Sequence, residues 1–219
     1  MPVTELAFIP SATPGSIPHA FLKAAWEGIE AQNDWVAANA AWTLPSGAPA
    51  VRGAAIFQQC ENKGTMLITA HWDSPAQHAR CIASEENQGA IRAIASHAIA
   101  SEIRFFHVDG VWLFGQKTLE AGQHLLSVLR VTVEEGKRGE IEQLWKYQVK
   151  PMLSASARFE HVGGWRVEKE PGKEDRDQFV AVGAWIDEDA LVLFLRDTYR
   201  GMWRVGALEK SFTTYSRLA

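Results

Sequence analysis

The feature that most limits what this chain can fold into is a repeated order of elements in which two tryptophans fall in the same register. In one half, Met66, Ile68, Ala70 and Trp72 alternate along a segment that ends in Trp. In the other half Phe179, Ala181, Gly183 and Trp185 do the same, so the halves overlay as an internal duplication of weak identity. Around each segment the same sequence of periods recurs. Thr4–Ile9 reads as a strand and Ser16 as the cap of a helix carrying Phe21, Leu22, Ala25, Trp26 and Ile29 on one stripe. Ala50–Gln59 and Thr65–Trp72 read as a hairpin around the turn "ENKG". A helical stretch from Ser74 to about Ala100, with a break near Gly89, and a strand Glu102–Val108 close the first round. The second round has a strand Leu125–Val133, then a helix with Ile141, Leu144, Trp145, Gln148 and Val149 on one face. Two strands around a charged turn, a helix from Asp187 to about Gly206 and a strand Glu209–Tyr215 complete it.

Two βαββαβ rounds predict an α+β chain of two ferredoxin-like halves, 1–115 and 116–219, each an antiparallel four-stranded sheet with helices on one face. The bare sheet faces must be buried, and packing sheet to sheet does so. The expected architecture is therefore an intrachain version of a dimeric α/β barrel, acting as a monomer. "DSPAQ" is a capping box, with Ser74 as the cap, Pro75 at the first helical position and Gln77 three residues after the cap.

Composition removes several functions. The 219 residues carry a net charge of −4, without the basic stripe a nucleic-acid surface needs. No apolar run reaches the 18 or more residues of a membrane span, and the N-terminus does not read as a secretory signal. Two cysteines, Cys60 and Cys81, form neither a metal-type pair nor a disulfide framework, so a reduced, cytoplasmic chain is expected. Glycine-rich nucleotide loops, HExxH and GxSxG are all missing, which leaves no flavin, nicotinamide or nucleotide fingerprint and no cofactor or metal to expect from motifs. Nine tryptophans suit both core filling and an aromatic pocket.

A strand ending in Trp72, followed by Asp73, the cap Ser74 and Ser84 twelve positions after the Trp, resembles the antibiotic biosynthesis monooxygenase-like proteins of the dimeric α/β-barrel superfamily. The second half keeps Trp185 but has Asp197 where Ser84 stands. Where many members carry a helix His, this chain has Cys81 and Phe194. The resemblance implies a cofactor-independent monooxygenase acting on a small aromatic or polyketide-type metabolite. A polyketide cyclase or lyase is the related alternative, and a non-catalytic, stress-type barrel that binds a small molecule, haem included, is the other.

The first-half helix is the more polar, so a site is expected there. The helical phase through Ala76, Ala79, Ala83, Ala90, Ile94 and Ala98 would pack those residues on the sheet, with Glu86, Asn87 and His97 on the same side and His78 and Cys81 in solvent. His71 has Ala184 as its counterpart, which makes it an addition to one half, and imidazole moves protons near neutral pH. The candidate catalytic residues are His71, His97 and Asn87, and the candidate substrate-binding residues are Trp72, Glu86, Trp26 and Phe105.

Overall fold

The computed structural model describes residues 1–40, 54–111, 113, 125–157, 159–196 and 207–218. The chain divides into two compact units, Met1–His107 with Arg217–Ala219, and Val108–Ser216. Trp42, Trp203, Asp197, most of the expected linker and the far part of the last expected helix lie outside the described residues.

The first unit contains β1 (Val3–Pro10), α1 (His19–Asn39), β2 (Ala55–Gln59), β3 (Thr65–Trp72), α2 (Pro75–Ile82), α3 (Glu85–Ala95) and β4 (Arg104–Asp109), the last of which ends just past the unit's boundary. Its strands lie in the order β4-β1-β3-β2, the ferredoxin-like arrangement expected of βαββαβ. β1 pairs antiparallel with β3, setting Val3 opposite Trp72, Glu5 opposite Ala70 and Ala7 opposite Ile68. Strand alternation then sends Val3, Ala7, Ile9, Met66, Ile68, Ala70 and Trp72 to one face, where they pack with Phe21, Ala25 and Ile29 of α1 and with Cys81 of α2.

Helix boundaries depart from the sequence expectation at two places. α1 begins at His19, because Pro18 is extended and restrains Ile17 before it, so Ser16 caps nothing. The long helix after Ser74 is two helices. Ser84 is extended, with φ −71° and ψ 153°, and its hydroxyl accepts the Asn87 N–H, so it caps a new helix and the break falls there, ahead of the Gly89 expected from the sequence. Ser74 Oγ accepts from Gln77 N–H at 3.2 Å, as read, while Gln77 Oε1 accepts from Asp73 N–H at 2.7 Å, one residue before the cap rather than at the cap itself. α3 lies along α1, and Gly28 makes room there for Ile94, whose Cδ1 would stand 3.0 Å from a Cβ at that position.

The second unit repeats the order with β5 (Leu125–Glu134), α4 (Arg138–Leu144), α5 (Lys150–Ala157), β6 (His161–Trp165), β7 (Arg176–Trp185), α6 (Glu188–Phe194) and β8 (Glu209–Arg217, whose last residue belongs to the first unit). Its strand order is β8-β5-β7-β6. A wider π-type stretch, Trp145–Val149, joins α4 to α5; it buries Trp145 and Val149 and leaves Gln148 exposed. The core is one cluster that includes Val131, Leu144, Trp145, Phe179, Trp185, Leu191 and Phe194. Asp187 caps α6 by accepting from Ala190 N–H, as Ser74 caps α2. The fold class is α+β, built from two ferredoxin-like halves.

Candidate functional site

In the first unit a carboxylate and two imidazoles meet in the core. β1 carries Val3, Glu5, Ala7 and Ile9 on its helix-covered face, so Glu5 is an acidic residue set in an apolar stripe and is only 6 % exposed. The β1–β3 register places Trp72 one pair away from Glu5, beside the small Ala70, and the indole Nε1 donates to Glu5 Oε2 at 2.9 Å. The Ser74 cap starts α2 directly after Trp72 and brings His78 over the indole. The two rings stack with centroids 4.3 Å apart and planes 14° apart.

His78 Nε2 lies 3.4 Å from the same Glu5 Oε2, and His78 Nδ1 lies 2.9 Å from Nε2 of His107 on β4. His78 and His107 are 2 % and 3 % exposed, whereas the ring of Phe105, which meets both imidazoles edge-on, is 48 % exposed. Trp72, Glu5, His78, His107 and Phe105 therefore form one cluster with an aromatic ring at the surface.

A buried carboxylate requires donors: the indole N–H is hydrogen-bonded to Glu5, and His78 Nε2 stands at ion-pair distance from the same oxygen. A nitrogen-to-nitrogen hydrogen bond needs one donor and one acceptor. A neutral His78 that donates Nε2–H to Glu5 accepts from His107 through Nδ1; a protonated His78 donates from both nitrogens. Cys81, on the same buried face of α2, has its thiol pushed up to about 12 by burial first and then by the charges of Glu5 and Glu86, so it is not a thiolate near neutral pH. Among the described residues no group of three His, Cys, Asp or Glu side chains is arranged to hold a metal ion. As they stand, neither ring nitrogen of His78 nor Nε2 of His107 is presented to a haem, since each faces Glu5 or the other imidazole.

The structure brings together two of the seven residues singled out by sequence, Trp72 and Phe105. His71 lies on the opposite face of β3 from Trp72, opposite Thr4, and burial holds its imidazole down to about 4. His97 is half-buried beside Phe21, where its carbonyl accepts from Ala12 N–H. That is beyond the far end of β1, about 20 Å along the strand from Glu5. Asn87 is buried in the first turn of α3, and Trp26 is half-buried against the α1 core.

Two expectations are corrected. Glu86 is exposed rather than facing the sheet, while His78 and Cys81 are buried rather than solvated. The helix break at Ser84 is the cause, since it lets α2 turn Gln77, His78 and Cys81 inward while Ala76, Ala79 and Ala83 face out. Glu5, His78 and His107 are not among the candidates the sequence offers. The readable signal for Glu5 was a lone acid on the apolar phase of a strand.

No protein-family profile matches the chain, and no curated protein matches it. Solved structures do. An anthrone oxidase-like protein aligns with a TM-score of 0.60 at 14% identity, over 100% of this chain and 92% of its own. A candidate monooxygenase from Lactobacillus acidophilus aligns with a TM-score of 0.59 at 9% identity, over 99% and 93%. A heme-binding protein from Thermus thermophilus aligns with a TM-score of 0.53 at 11% identity, over 100% and 92%. At these identities the likeness is one of fold alone. The neighbours differ in what they are described as doing, so chemistry has to come from the site. No helix among the described residues is long and apolar enough to cross a membrane.

Proposed function

We propose that the chain is a cofactor-independent, monooxygenase-like enzyme acting on a small aromatic or polyketide-type metabolite, with its site in the first unit. The observation that carries this reading is the buried Glu5–His78–His107 chain against the indole of Trp72, with the half-exposed ring of Phe105 at its edge. A base of this kind can remove a proton from a phenol or an activated methylene, and the anion left behind is electron-rich enough to reduce O₂ directly. For a ring methylene the balance is closed without a cofactor: CH₂ and O₂ give C=O and H₂O. His71, kept neutral by burial, is a second candidate acceptor on the other face of β3. His97 and Asn87 stay as candidates for proton transfer and donation at sites apart from the cluster.

The neighbour described as anthrone oxidase-like suggests the probe. Anthrone offered in air should give oxygen uptake above the buffer rate. His78→Ala should lower that uptake by about 10²-fold, the ordinary contribution of positioned acid–base groups. Loss in His71→Ala with none in His78→Ala would move the site to the other sheet face. Turnover without oxygen uptake would make the chain a cyclase or lyase. The reading includes a chain that acts as a monomer, and a dimeric mass in solution would contradict that.

A further inference from the structure

The second unit carries an open cleft that the enzymatic reading of the first unit does not use. It has a volume of about 620 Å³ and is lined by Lys146, Lys150, Pro151, Ser154, Phe159 and Glu160. Small-molecule sites ordinarily measure about 300–1,000 Å³, so the space is of the right size. Its walls come from two pieces of chain. Lys146, Lys150 and Ser154 recur every four residues from the π-type stretch into α5, a spacing that brings side chains to one side of a helix. Phe159 and Glu160 come from the short connection between α5 and β6. π-type turns are rare and recur at functional sites. This one carries Lys146 to the cleft while Trp145 and Val149 stay in the core.

The charges at the cleft are unequal. Lys150 Nζ is held by Glu160 Oε1 at 2.6 Å. Lys146 is exposed, with its ammonium 5.1 Å from the centroid of the Tyr147 ring, and among the described residues no carboxylate stands within ion-pair distance of it. Two cations therefore face one acid, and the excess positive charge is on Lys146. Ser154 Oγ accepts from the His161 N–H at 3.4 Å, and its own O–H remains to donate. The half-buried Phe159 ring and Pro151 supply an apolar wall.

We infer that this cleft binds a small aromatic monocarboxylate, its carboxylate on Lys146 and Ser154 and its ring against Phe159 and Pro151. Both polar groups donate, and a carboxylate accepts from a cation and a hydroxyl through its two oxygens. A neutral ring would gain only the apolar wall and leave Lys146 without a counter-charge. A compact inorganic anion would gain the donors, forgo the wall and meet the charge of Glu160. The assignment is independent of the chemistry proposed for the first unit.

Isothermal titration of the full chain with 1-naphthoate, 1-naphthamide and inorganic phosphate tests this. Naphthoate should give a saturable one-to-one isotherm, with the amide and phosphate each weaker by about tenfold or more. Lys146→Gln should weaken naphthoate by about tenfold, the value of one charge-assisted hydrogen bond, and Lys146→Arg should keep most of the affinity. Glu160→Gln should tighten naphthoate, because it frees Lys150 and removes the one negative charge at the rim. Phe159→Ala should weaken naphthoate and leave phosphate as it is. Lys146 and Glu160 are exposed, so their variants keep the fold. Phe105→Ala, in the first unit, should leave the naphthoate isotherm unchanged. The assignment is overturned by an absence of saturable naphthoate binding, by binding that Lys146→Gln does not move, or by an amide that binds as tightly. Phosphate binding more tightly than naphthoate overturns the aromatic class, and loss of binding in Phe105→Ala places the ligand in the first unit and overturns the cleft.

Discussion

The two units place the same tryptophan at the same strand end and surround it with opposite chemistry. In the first, Trp72 donates to a buried carboxylate and lies under an imidazole. In the second, Trp185 donates to the Ser127 hydroxyl at 2.8 Å, Leu191 occupies the helix position of His78, and Phe194 fills that of Cys81, 5.1 Å from the indole. Ser127 is opposite Gly183 on β7 as Glu5 is opposite Ala70 on β3, so Glu5 and Ser127 are equivalent positions. One scaffold thus supports a charged, hydrogen-bonded centre in one copy and an apolar plug in the other. The scaffold needs the tryptophan; the acid and the imidazoles are additions, and additions of this kind cost stability unless all their partners are present.

That difference can be broken most severely from the first unit. His78→Leu alone removes a donor from a buried carboxylate and the partner of His107, and should cost about 3–5 kcal/mol. Adding Glu5→Ser to it copies the second unit's set and should recover most of that loss in a urea titration, with activity absent. A double variant no more stable than the single one would mean that the two units do not hold their tryptophans in equivalent ways.

Next in size is an acid effect in the second unit. His161 on β6 is buried edge-on to Trp185, and burial holds its imidazole down to about 4, only partly offset by the Phe159 carbonyl. The unfolded chain binds that proton near pH 6.5, so the folded state is favoured above that value and loses stability as pH falls toward 4. The loss at pH 4.5 should be on the order of 2 to 3 kcal/mol, and His161→Leu should remove it. His71 shifts in the same direction in the first unit, so the variant should retain part of the acid sensitivity of the wild type.

A smaller contrast comes from the indole N–H groups themselves. Trp72→Phe takes a donor from a carboxylate, worth about 1.5–3 kcal/mol, whereas Trp185→Phe takes one from a hydroxyl, worth about 0.5–1.5 kcal/mol. Equal shifts in urea midpoint would mean that the two indoles are held equally by their acceptors. The last test leaves stability unchanged. Cys60 is exposed and Cys81 is buried with its pKa raised, so a thiol reagent at neutral pH should label one cysteine in the native chain and two in denaturant.

What the sequence disclosed follows the range of the forces involved. The strand alternation through Met66–Trp72, the Ser74 box and the match of Trp72 with Trp185 are local patterns, and the structure has all three. The polar face of α2 was misjudged because one serine, Ser84, ends a helical phase that composition alone does not interrupt: the residues around it are good helix formers, and only its backbone angles show the break. His107 and Glu5 lie about a hundred residues apart in the chain and meet through sheet pairing, which no local period reports. Glu5 was nonetheless legible as an acid in the wrong phase of β1, and Trp72 and Phe105 were picked out for their ring surfaces rather than for the imidazoles they touch.

His161 is paired with Gly183, and a Cβ at that glycine would overlap the imidazole. The two positions are therefore tied in descent. While the imidazole is present no side chain can be acquired at 183, and the imidazole could arrive only after a side chain there had been lost. Substitution can leave this arrangement only by passing first through position 161, so the order of changes at the two positions is fixed.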